Sequence, residues 1–128
     1  MTKQEQLVAS YFHSWLTKDA SVLKETFAED AVYTESWGPV YYGLSQIEQW
    51  FCDWHKQGTV LKWEIKEFLS DGNRTICSWY FECNYMGEIS GFDGVSWIVF
   101  NDEGKISTLD EYQSKLPHHT PYEPTKGE

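Results

Sequence analysis

Positive charge is scarce in this sequence, in which ten lysines and arginines stand against twenty aspartates and glutamates and give a formal net charge of -10. Surfaces that bind nucleic acid or anionic membranes carry clusters of basic residues, so this charge argues against both classes of partner. Arg74 is the only arginine. A bidentate clamp on a phosphate or carboxylate group would therefore depend on that one side chain.

Cysteine is also sparse, and the three residues present are Cys52, Cys77 and Cys83. Cys77 and Cys83 fall on one predicted strand, where they are too far apart to form a disulfide. None of the three has a histidine nearby in a recognisable nucleophile motif. We therefore expect reduced thiols, a cytoplasmic location and no thiol chemistry in catalysis.

Several other signals are missing from the sequence. No apolar run is long enough to span a bilayer, and the polar, acid-containing first residues are unlike a signal peptide. There is no glycine motif that binds phosphate. His118 and His119 are adjacent residues in a patternless tail and lack the spacing of a structural metal site. We expect no membrane span, no cofactor and no metal.

Aromatic residues, in contrast, are abundant, with seven tryptophans, eight tyrosines and seven phenylalanines. So many rings are explained equally well by an aromatic core or by a ligand pocket lined with rings. The sequence leaves both interpretations open.

The first half of the chain has helical periodicity. A capping box formed by Thr2 and Glu5 predicts a helix from about Lys3 to Leu16. Asp19 is a suitable cap for a short second helix, from Ala20 to Phe27. A second capping box, Ser45 with Glu48, predicts a third helix that ends before Gly58.

The remaining segments alternate with the period of strands. Ala31 to Trp37 predicts a short strand that is broken by Gly38 and Pro39. Later strands are separated by turn sequences, which are Asp71–Asn73, Met86–Glu88 and Asn101–Gly104. This order predicts an α+β fold, in which three N-terminal helices pack on a strongly curved antiparallel sheet and form a cone with an internal pocket. We expect one domain over residues 1–116 and a tail over residues 117–128.

Polar residues interrupt the inward face of the last predicted hairpin. Ser96 shares a face with Phe92 and Ile98, and Glu111 shares a face with Leu109. A purely structural face would be apolar, so these groups indicate a cavity. The phases of the helices and strands predict residues that line it, and these are Trp15, Tyr33, Trp37, Trp50, Trp54, His55, Trp79, Phe81, Phe92, Ile98 and Leu109. Such a cavity would take a small apolar or aromatic ligand.

The same alternation places Trp63, Tyr80 and Trp97 on the outer face of the sheet. Three aromatic side chains on one exposed face need cover, and a second copy of the chain is the simplest cover. We therefore expect a homodimer through the outer face.

The order of elements resembles the nuclear transport factor 2-like superfamily, which includes the SnoaL-like polyketide cyclases and the ketosteroid isomerases. The matching segments run from about residue 5 to residue 115, and they are Lys18–Ala20, Phe27–Val32, Gly43–Ile47 and Phe100–Ile106. Resemblance to the isomerases implies that Tyr11 donates to the substrate oxygen, that Glu35 moves the proton, and that Ser96 stands where the isomerases have a protonated aspartic acid. Resemblance to the cyclases implies a functional carboxylate at Glu111. Epoxide hydrolases of this fold use an Asp-Arg-Asp set, and Arg74 lies beside a predicted turn.

Each candidate also has a structural interpretation. Tyr11 is then a core tyrosine, Ser96 bonds a strand carbonyl, and His55 is a surface histidine instead of a base at the pocket mouth. Glu35, between Tyr33 and Trp37, is either a base of raised pKa or an ordinarily solvated carboxylate. Glu111 is either a pocket carboxylate or the partner of a lysine.

Three functions follow from these expectations. The first is a cofactor-independent isomerase, cyclase or dehydratase that transfers a proton on a small, largely apolar, oxygen-bearing molecule. The second is a non-catalytic protein that binds a small ligand. The third is a dimerisation or adaptor module whose pocket is filled by its own aromatic side chains.

Overall fold

The computed structural model describes residues 1–122, which form three helical segments and a six-stranded sheet. The α+β class is therefore confirmed. The helical segments are α1 (Lys3–Thr17), a 3-10 turn (Ala20–Val22) that continues into α2 (Leu23–Thr26), and α3 (Leu44–His55). The strands are β1 (Phe27–Thr34), β2 (Val40–Tyr42), β3 (Gly58–Asp71), β4 (Arg74–Tyr85), β5 (Glu88–Phe100) and β6 (Ile106–Lys115). Of the predicted tail, residues 123–128 lie outside the described residues.

The sheet is mixed, which corrects the prediction of a purely antiparallel sheet. Its strand order is β2-β1-β6-β5-β4-β3. β3, β4, β5 and β6 form successive antiparallel hairpins, whereas β1 pairs with β6 in parallel. A parallel pair needs a long connection, and here the chain between β1 and β6 contains α3 and four strands. This pairing sets the C-terminal half of β1 beside the centre of β6.

The end of β1 also differs from the prediction. The strand stops at Thr34, and a turn follows in which the Glu35 N–H donates to the Pro39 carbonyl at 2.8 Å. Gly38 donates back to the Glu35 carbonyl at 3.1 Å. Glu35 and Trp37 therefore lie on a loop. Strand β2, only three residues long, was not predicted because so short a segment carries no periodic signal.

Two of the three predicted helix caps are confirmed. The Thr2 hydroxyl accepts from the Glu5 N–H at 3.1 Å, and the Asp19 carboxylate accepts from the Ser21 N–H at 3.1 Å. The cap predicted at Ser45 is wrong, because α3 begins at Leu44 and its N-cap is Gly43, two residues before Ser45. Gly43 has φ +88° and donates to the Ala31 carbonyl at 2.6 Å, so pairing to β1 fixes this helix start. Among residues 1–122, no helix combines the length and apolarity needed to cross a membrane.

A bulge in β3 brings Trp63 to the inner face, which makes its predicted outward position wrong. Val60 pairs with Cys83 and Lys62 pairs with Glu82, so Leu61 has no partner on β4. The extra residue shifts the alternation, and Trp63 stands opposite Phe81 with only 9% of its surface exposed. Trp97 remains on the outer face and is 44% exposed.

The core lies between the helices and the inner face of the sheet. Phe12 of α1 stacks on Trp63, with ring centroids 3.9 Å apart and planes 7° apart. Phe51 of α3 is almost fully buried and meets Trp15 at 4.7 Å. Full burial of a large apolar side chain stabilises a fold by about 1.5–3 kcal/mol. The aromatic contacts therefore hold α1 and α3 at a fixed position over the sheet.

Gly94 makes room for the Trp79 indole on the neighbouring strand. A Cβ at position 94 would lie 2.3 Å from Cη2 of Trp79. The indole Nε1 donates to the buried Ser96 hydroxyl at 2.9 Å, so the ring cannot move away without losing that bond. Trp79 is therefore clamped between β4 and β5.

We predict that Gly94→Ala destabilises the fold by about 1–3 kcal/mol, because the new methyl group overlaps the fixed indole. Urea denaturation measures the change. The double variant Gly94→Ala with Trp79→Phe is the control, since the smaller ring removes the overlap and the cost of the alanine should shrink in that background. An equal cost in both backgrounds would contradict this account.

Candidate functional site

A cavity of about 160 Å³ lies between the helices and the inner face of the sheet. An apolar cavity of about 150 Å³ is large enough to hold benzene. Its wall is mostly aromatic, and the rings come from α1, the segment around β1, α3 and strands β3 to β5: Trp15, Tyr33, Trp37, Trp50, Trp54, Trp63, Trp79, Phe81, Tyr85 and Phe92. The remaining wall residues are Glu35, Ser36, Cys83 and Glu111.

The periodicity of the sequence predicted most of the residues in this wall. Eight of the predicted ligand-binding residues line the cavity, and these are Trp15, Tyr33, Trp37, Trp50, Trp54, Trp79, Phe81 and Phe92. Whether they touch a ligand stays a prediction. Trp63 was missed because the bulge at Leu61 cannot be read from the alternation.

Three other predicted wall residues lie elsewhere. Ile98 and Leu109 pair across β5 and β6 and are fully buried in the core, outside the wall. His55 is also outside it, because its Nδ1 lies 2.8 Å from the Phe51 carbonyl and its Nε2 lies 3.0 Å from the Trp15 carbonyl. The histidine therefore joins α3 to the end of α1 and does not stand at the pocket mouth.

Ser96, expected to donate to a ligand, faces the core. It is fully buried, is not part of the wall, and accepts the bond from the Trp79 indole. Its contribution to the cavity is indirect, since it fixes the orientation of a wall residue.

A chain of buried hydrogen bonds connects α1 to the cavity. The Tyr11 hydroxyl donates to the Tyr33 hydroxyl at 2.9 Å, and the Tyr33 hydroxyl donates to Oε2 of Glu111 at 2.5 Å. Tyr11 does not line the cavity, whereas Tyr33 and Glu111 do. Tyr11 therefore reaches the site only through Tyr33. The parallel pairing of β1 with β6, which sets Tyr33 beside Leu109, makes this chain possible.

The environment of Glu111 favours its neutral form. Burial, which is the largest cause, and the charge of Glu35 together raise the pKa of this carboxyl to about 8, against hydrogen bonds from Tyr33 and the Ser36 N–H. Burial also raises the pKa of Tyr11 and of Tyr33 well above the usual value, so both remain neutral hydroxyl donors. At neutral pH the cavity therefore holds a protonated carboxylic acid.

Glu35, the second carboxyl group of the cavity wall, lies on the loop after β1. Its Oε2 accepts from the Tyr41 hydroxyl at 2.7 Å. Burial raises the pKa of Glu35, while hydrogen bonds from Tyr41 and Trp37 act in the opposite direction. Glu35 is thus a carboxylate whose basicity exceeds that of an exposed glutamate.

Glu35 also marks the way into the cavity. A larger, open depression of about 680 Å³, which we call the vestibule, shares Glu35, Trp37, Trp50, Trp54 and Tyr85 with the cavity wall. Trp37 is 71% exposed. The polar side of the vestibule comes largely from Gln46, Gln49 and Asp53 on one face of α3, and from Gln57, two residues after the helix ends. A ligand can therefore pass from solvent to the carboxylates along an aromatic surface.

The described residues offer few groups suited to metal-dependent, Asp-Arg-Asp or thiol chemistry. No group of three or more His, Cys, Asp or Glu residues among these residues could hold a metal ion. Arg74 begins β4 and does not line the cavity, which leaves an Asp-Arg-Asp arrangement without its arginine. Burial raises the pKa of the wall residue Cys83, so its thiol is a poor nucleophile.

Comparison with known proteins identifies both family and fold. The family model of the SnoaL-like domain matches residues 8–109. No curated protein matches the sequence significantly.

Solved structures resemble the whole fold at low identity. A hypothetical protein with a ketosteroid isomerase-like fold from Catenulispora acidiphila, in complex with trimethylamine, has a TM-score of 0.75 and 18% identity, with 86% of this chain and 85% of that chain covered. An NTF-2 like protein of unknown function from Burkholderia xenovorans has a TM-score of 0.73 and 19% identity, with 93% and 88% covered. An LEH-like epoxide hydrolase from M. tuberculosis has a TM-score of 0.76 and 13% identity, with 85% and 80% covered. At these identities the likeness shows the fold alone.

We predict that Glu111 makes stability fall as the pH rises from about 5 to 8. The raised pKa means that the folded state binds a proton that the unfolded chain has lost, so the free energy of unfolding decreases with pH by up to about 1.4 kcal/mol per unit. Glu111→Gln should flatten that slope, as measured by urea denaturation at several pH values. Glu103→Gln, at an exposed turn, is the control and should keep the slope of the unmodified protein. A slope unchanged in Glu111→Gln would show that Glu111 titrates normally.

Proposed function

This chain belongs to the SnoaL-like domain family, and on that premise we propose that it is a cofactor-independent enzyme that transfers a proton on a small, largely apolar, oxygen-bearing molecule. One observation carries the proposal: Glu35 and Glu111, two carboxyl groups of raised pKa, line the same aromatic cavity. Paired carboxyl groups in different environments supply a base and an acid at one pH. Isomerase, cyclase and dehydratase reactions all begin with such a transfer.

Glu35 is the proposed base. Its carboxylate takes the proton from a carbon next to a carbonyl group, and the electron pair of that C–H bond moves into the new C=C bond of the enol. Glu111, protonated at neutral pH, gives its proton to the carbonyl oxygen. Each glutamate then returns to its starting state when the enol collapses, and the position at which carbon is reprotonated decides the product.

Tyr33 and Tyr11 are proposed as positioning residues. Tyr33 donates to one oxygen of Glu111 and Tyr11 donates to Tyr33, so both fix the direction of the acid. This assignment replaces the direct contact between Tyr11 and substrate that the family resemblance implied. Both tyrosines stay neutral, because burial raises the pKa of each hydroxyl well above its usual value.

The size of the cavity sets the proposed substrate class. A volume of about 160 Å³ accommodates a compact ring or branched molecule, whereas a steroid would have to extend far into the vestibule. The complex of the Catenulispora neighbour with trimethylamine supports an occupant of this small size.

Two indole N–H groups favour the hypothesis that the ligand carries an oxygen atom. Nε1 of Trp15 and Nε1 of Trp63 are buried and have no hydrogen-bond partner among the described residues. Both side chains line the cavity. A buried donor without an acceptor costs roughly 1–3 kcal/mol, and a ligand oxygen that reaches either group would recover part of that cost.

The alternative function is a non-catalytic protein that binds a small ligand in the same cavity. The aromatic wall favours it, because rings supply affinity and shape without any chemistry. The adaptor hypothesis expected the pocket to be filled by the protein's own side chains, and a cavity of about 160 Å³ gives it little support.

A homodimer through the outer face remains part of the proposal. Trp97 is 44% exposed and Tyr112 is 59% exposed, and Tyr112 pairs with Val95 two residues from Trp97. These side chains form an apolar strip across β5 and β6. Stable interfaces of this kind bury on the order of 1,600 Å² in total.

Sedimentation tests the dimer. We expect a species of twice the 15.0 kDa chain mass at micromolar concentration, and Trp97→Glu should convert it to monomer by placing a charge in the interface. Trp37→Glu replaces a tryptophan that is also exposed but lies on the loop after β1, so the dimer should persist. A 15.0 kDa species in the unmodified protein would contradict the proposal.

We predict that the protein exchanges a carbon-bound proton of small ketones with solvent, and that Glu35→Gln slows this exchange by about 100-fold or more. Small cyclic and branched ketones are incubated in D₂O, and loss of the proton signal is followed by NMR. Glu64→Gln is the control, since Glu64 pairs with Tyr80 on the outward phase of β3 and is exposed.

The pH dependence of that exchange separates the two glutamates. The rate should fall above about pH 8 as Glu111 loses its proton, and Glu111→Gln should remove this upper limb together with most of the rate. If ketones bind but do not exchange, or if Glu35→Gln exchanges at nearly the normal rate, the non-catalytic function replaces the enzyme.

A further inference from the structure

Several neighbouring rings of the cavity wall, which we call the box, have planes at large angles to one another. The Trp15 and Trp54 planes meet at 75°, and those of Trp63 and Phe81 meet at 82°. The Trp15 and Trp50 planes meet at 56°. The wall rings come from α1, α3 and strands β3 to β5, so a group inside the cavity is met by aromatic side chains from several directions.

The charges around this box have one sign. Glu35 and Glu111 belong to the wall, and Asp53 belongs to the vestibule. No lysine, arginine or histidine lines either space within residues 1–122. The formal net charge of -10 adds an attractive field for cations and a repulsive one for anions. The cavity is therefore unsuited to carboxylates and phosphates.

Faces of tryptophan and tyrosine carry the negative part of the ring quadrupole, and they attract cations most strongly where water is excluded. A trimethylammonium group is comparable in size to benzene, which a cavity of this volume can hold. Its positive charge is spread over methyl groups that need no hydrogen bonds, so the absence of many polar partners in the wall is no obstacle.

We propose that the cavity binds the methylated ammonium group of a small organic cation, with the tryptophan rings around the methyl groups and the two glutamates near the charge. This inference rests on the proposed function only in that both place the ligand in one cavity, and it goes beyond that function, because a bound cation favours ionised Glu111 whereas proton transfer to a ketone uses its protonated form. It follows from the wall of this chain alone.

Cation binding and the protonation of Glu111 oppose each other. The groups that act on Glu111 are the Tyr33 hydroxyl, the Ser36 N–H and the charge of Glu35, with Tyr11 behind Tyr33 and Tyr41 on Glu35. None of these groups is positive, so in the free protein only the hydrogen bonds from Tyr33 and the Ser36 N–H stabilise an ionised Glu111. A bound cation supplies that positive charge, and it therefore releases the proton of Glu111 at pH values below about 8.

Calorimetric titration with choline and with 3,3-dimethylbutan-1-ol tests the inference. The two molecules have nearly the same shape, and carbon replaces the charged nitrogen in the second. At pH 8.5 we expect choline to bind at least about ten-fold more tightly. Below pH 8 the affinity for choline should fall, and its binding should release a proton into the buffer, whereas the affinity for the neutral alcohol should stay constant.

Variants assign the effect to the cavity. Glu111→Gln should weaken choline binding by about ten-fold or more and remove its proton release, with little change for the alcohol. Trp54→Leu keeps apolar bulk but removes one ring face, so it should weaken choline more than the alcohol. Glu64→Gln removes a charge from the outer surface and should leave both affinities unchanged.

The outcome for the unmodified protein decides the inference even if a variant fails to fold. Equal or tighter binding of the alcohol at pH 8.5, or no binding of choline at millimolar concentration, would overturn it. The ketone exchange assay is scored separately. Failure of choline with exchange intact rejects the ligand class alone, and choline binding without exchange supports the inference while rejecting the proton-transfer function.

Discussion

The site depends on one partly buried hydrogen bond, between the Tyr33 hydroxyl and Glu111. Tyr33 is in β1 and Glu111 is in β6, and only the parallel pairing of these two strands brings them together. Glu111 points inward because it pairs with the buried Ser96, and the bond from Tyr33, with that from the Ser36 N–H, provides its carboxyl with partners among the aromatic rings. A carboxyl group buried among rings needs a hydrogen-bond partner, so the cavity can contain Glu111 only if Tyr33 is beside it.

Aromatic enclosure decides how the two carboxyl groups behave. Rings exclude water from Glu111, and desolvation is the largest cause of its raised pKa. Glu35 also lines the vestibule, and the hydrogen bond from Tyr41 opposes the rise that burial causes in its pKa. The same rings provide faces that attract positive charge. Acid–base chemistry and cation binding are thus two consequences of one environment.

Features that depend on nearby residues were predicted correctly, and features that depend on contacts between distant segments were not. The caps at Thr2 and Asp19 depend on residues within one turn, and both are confirmed. The cap at Ser45 failed because pairing of Gly43 with Ala31 overrides the local signal. Trp63 was placed outside because one unpaired residue, Leu61, reverses the alternation of β3.

The sequence by itself determined the α+β class, most of the aromatic wall and the two carboxylates as candidates, because periodicity of apolar residues is a local property of the chain. Only the tertiary structure decided which candidates meet. It removed Ser96, Ile98, Leu109 and His55 from the cavity wall and linked Tyr11 to Glu111 through Tyr33. Contacts between residues far apart in sequence, such as Tyr33 and Glu111, depend on strand order and register, and no local pattern encodes those.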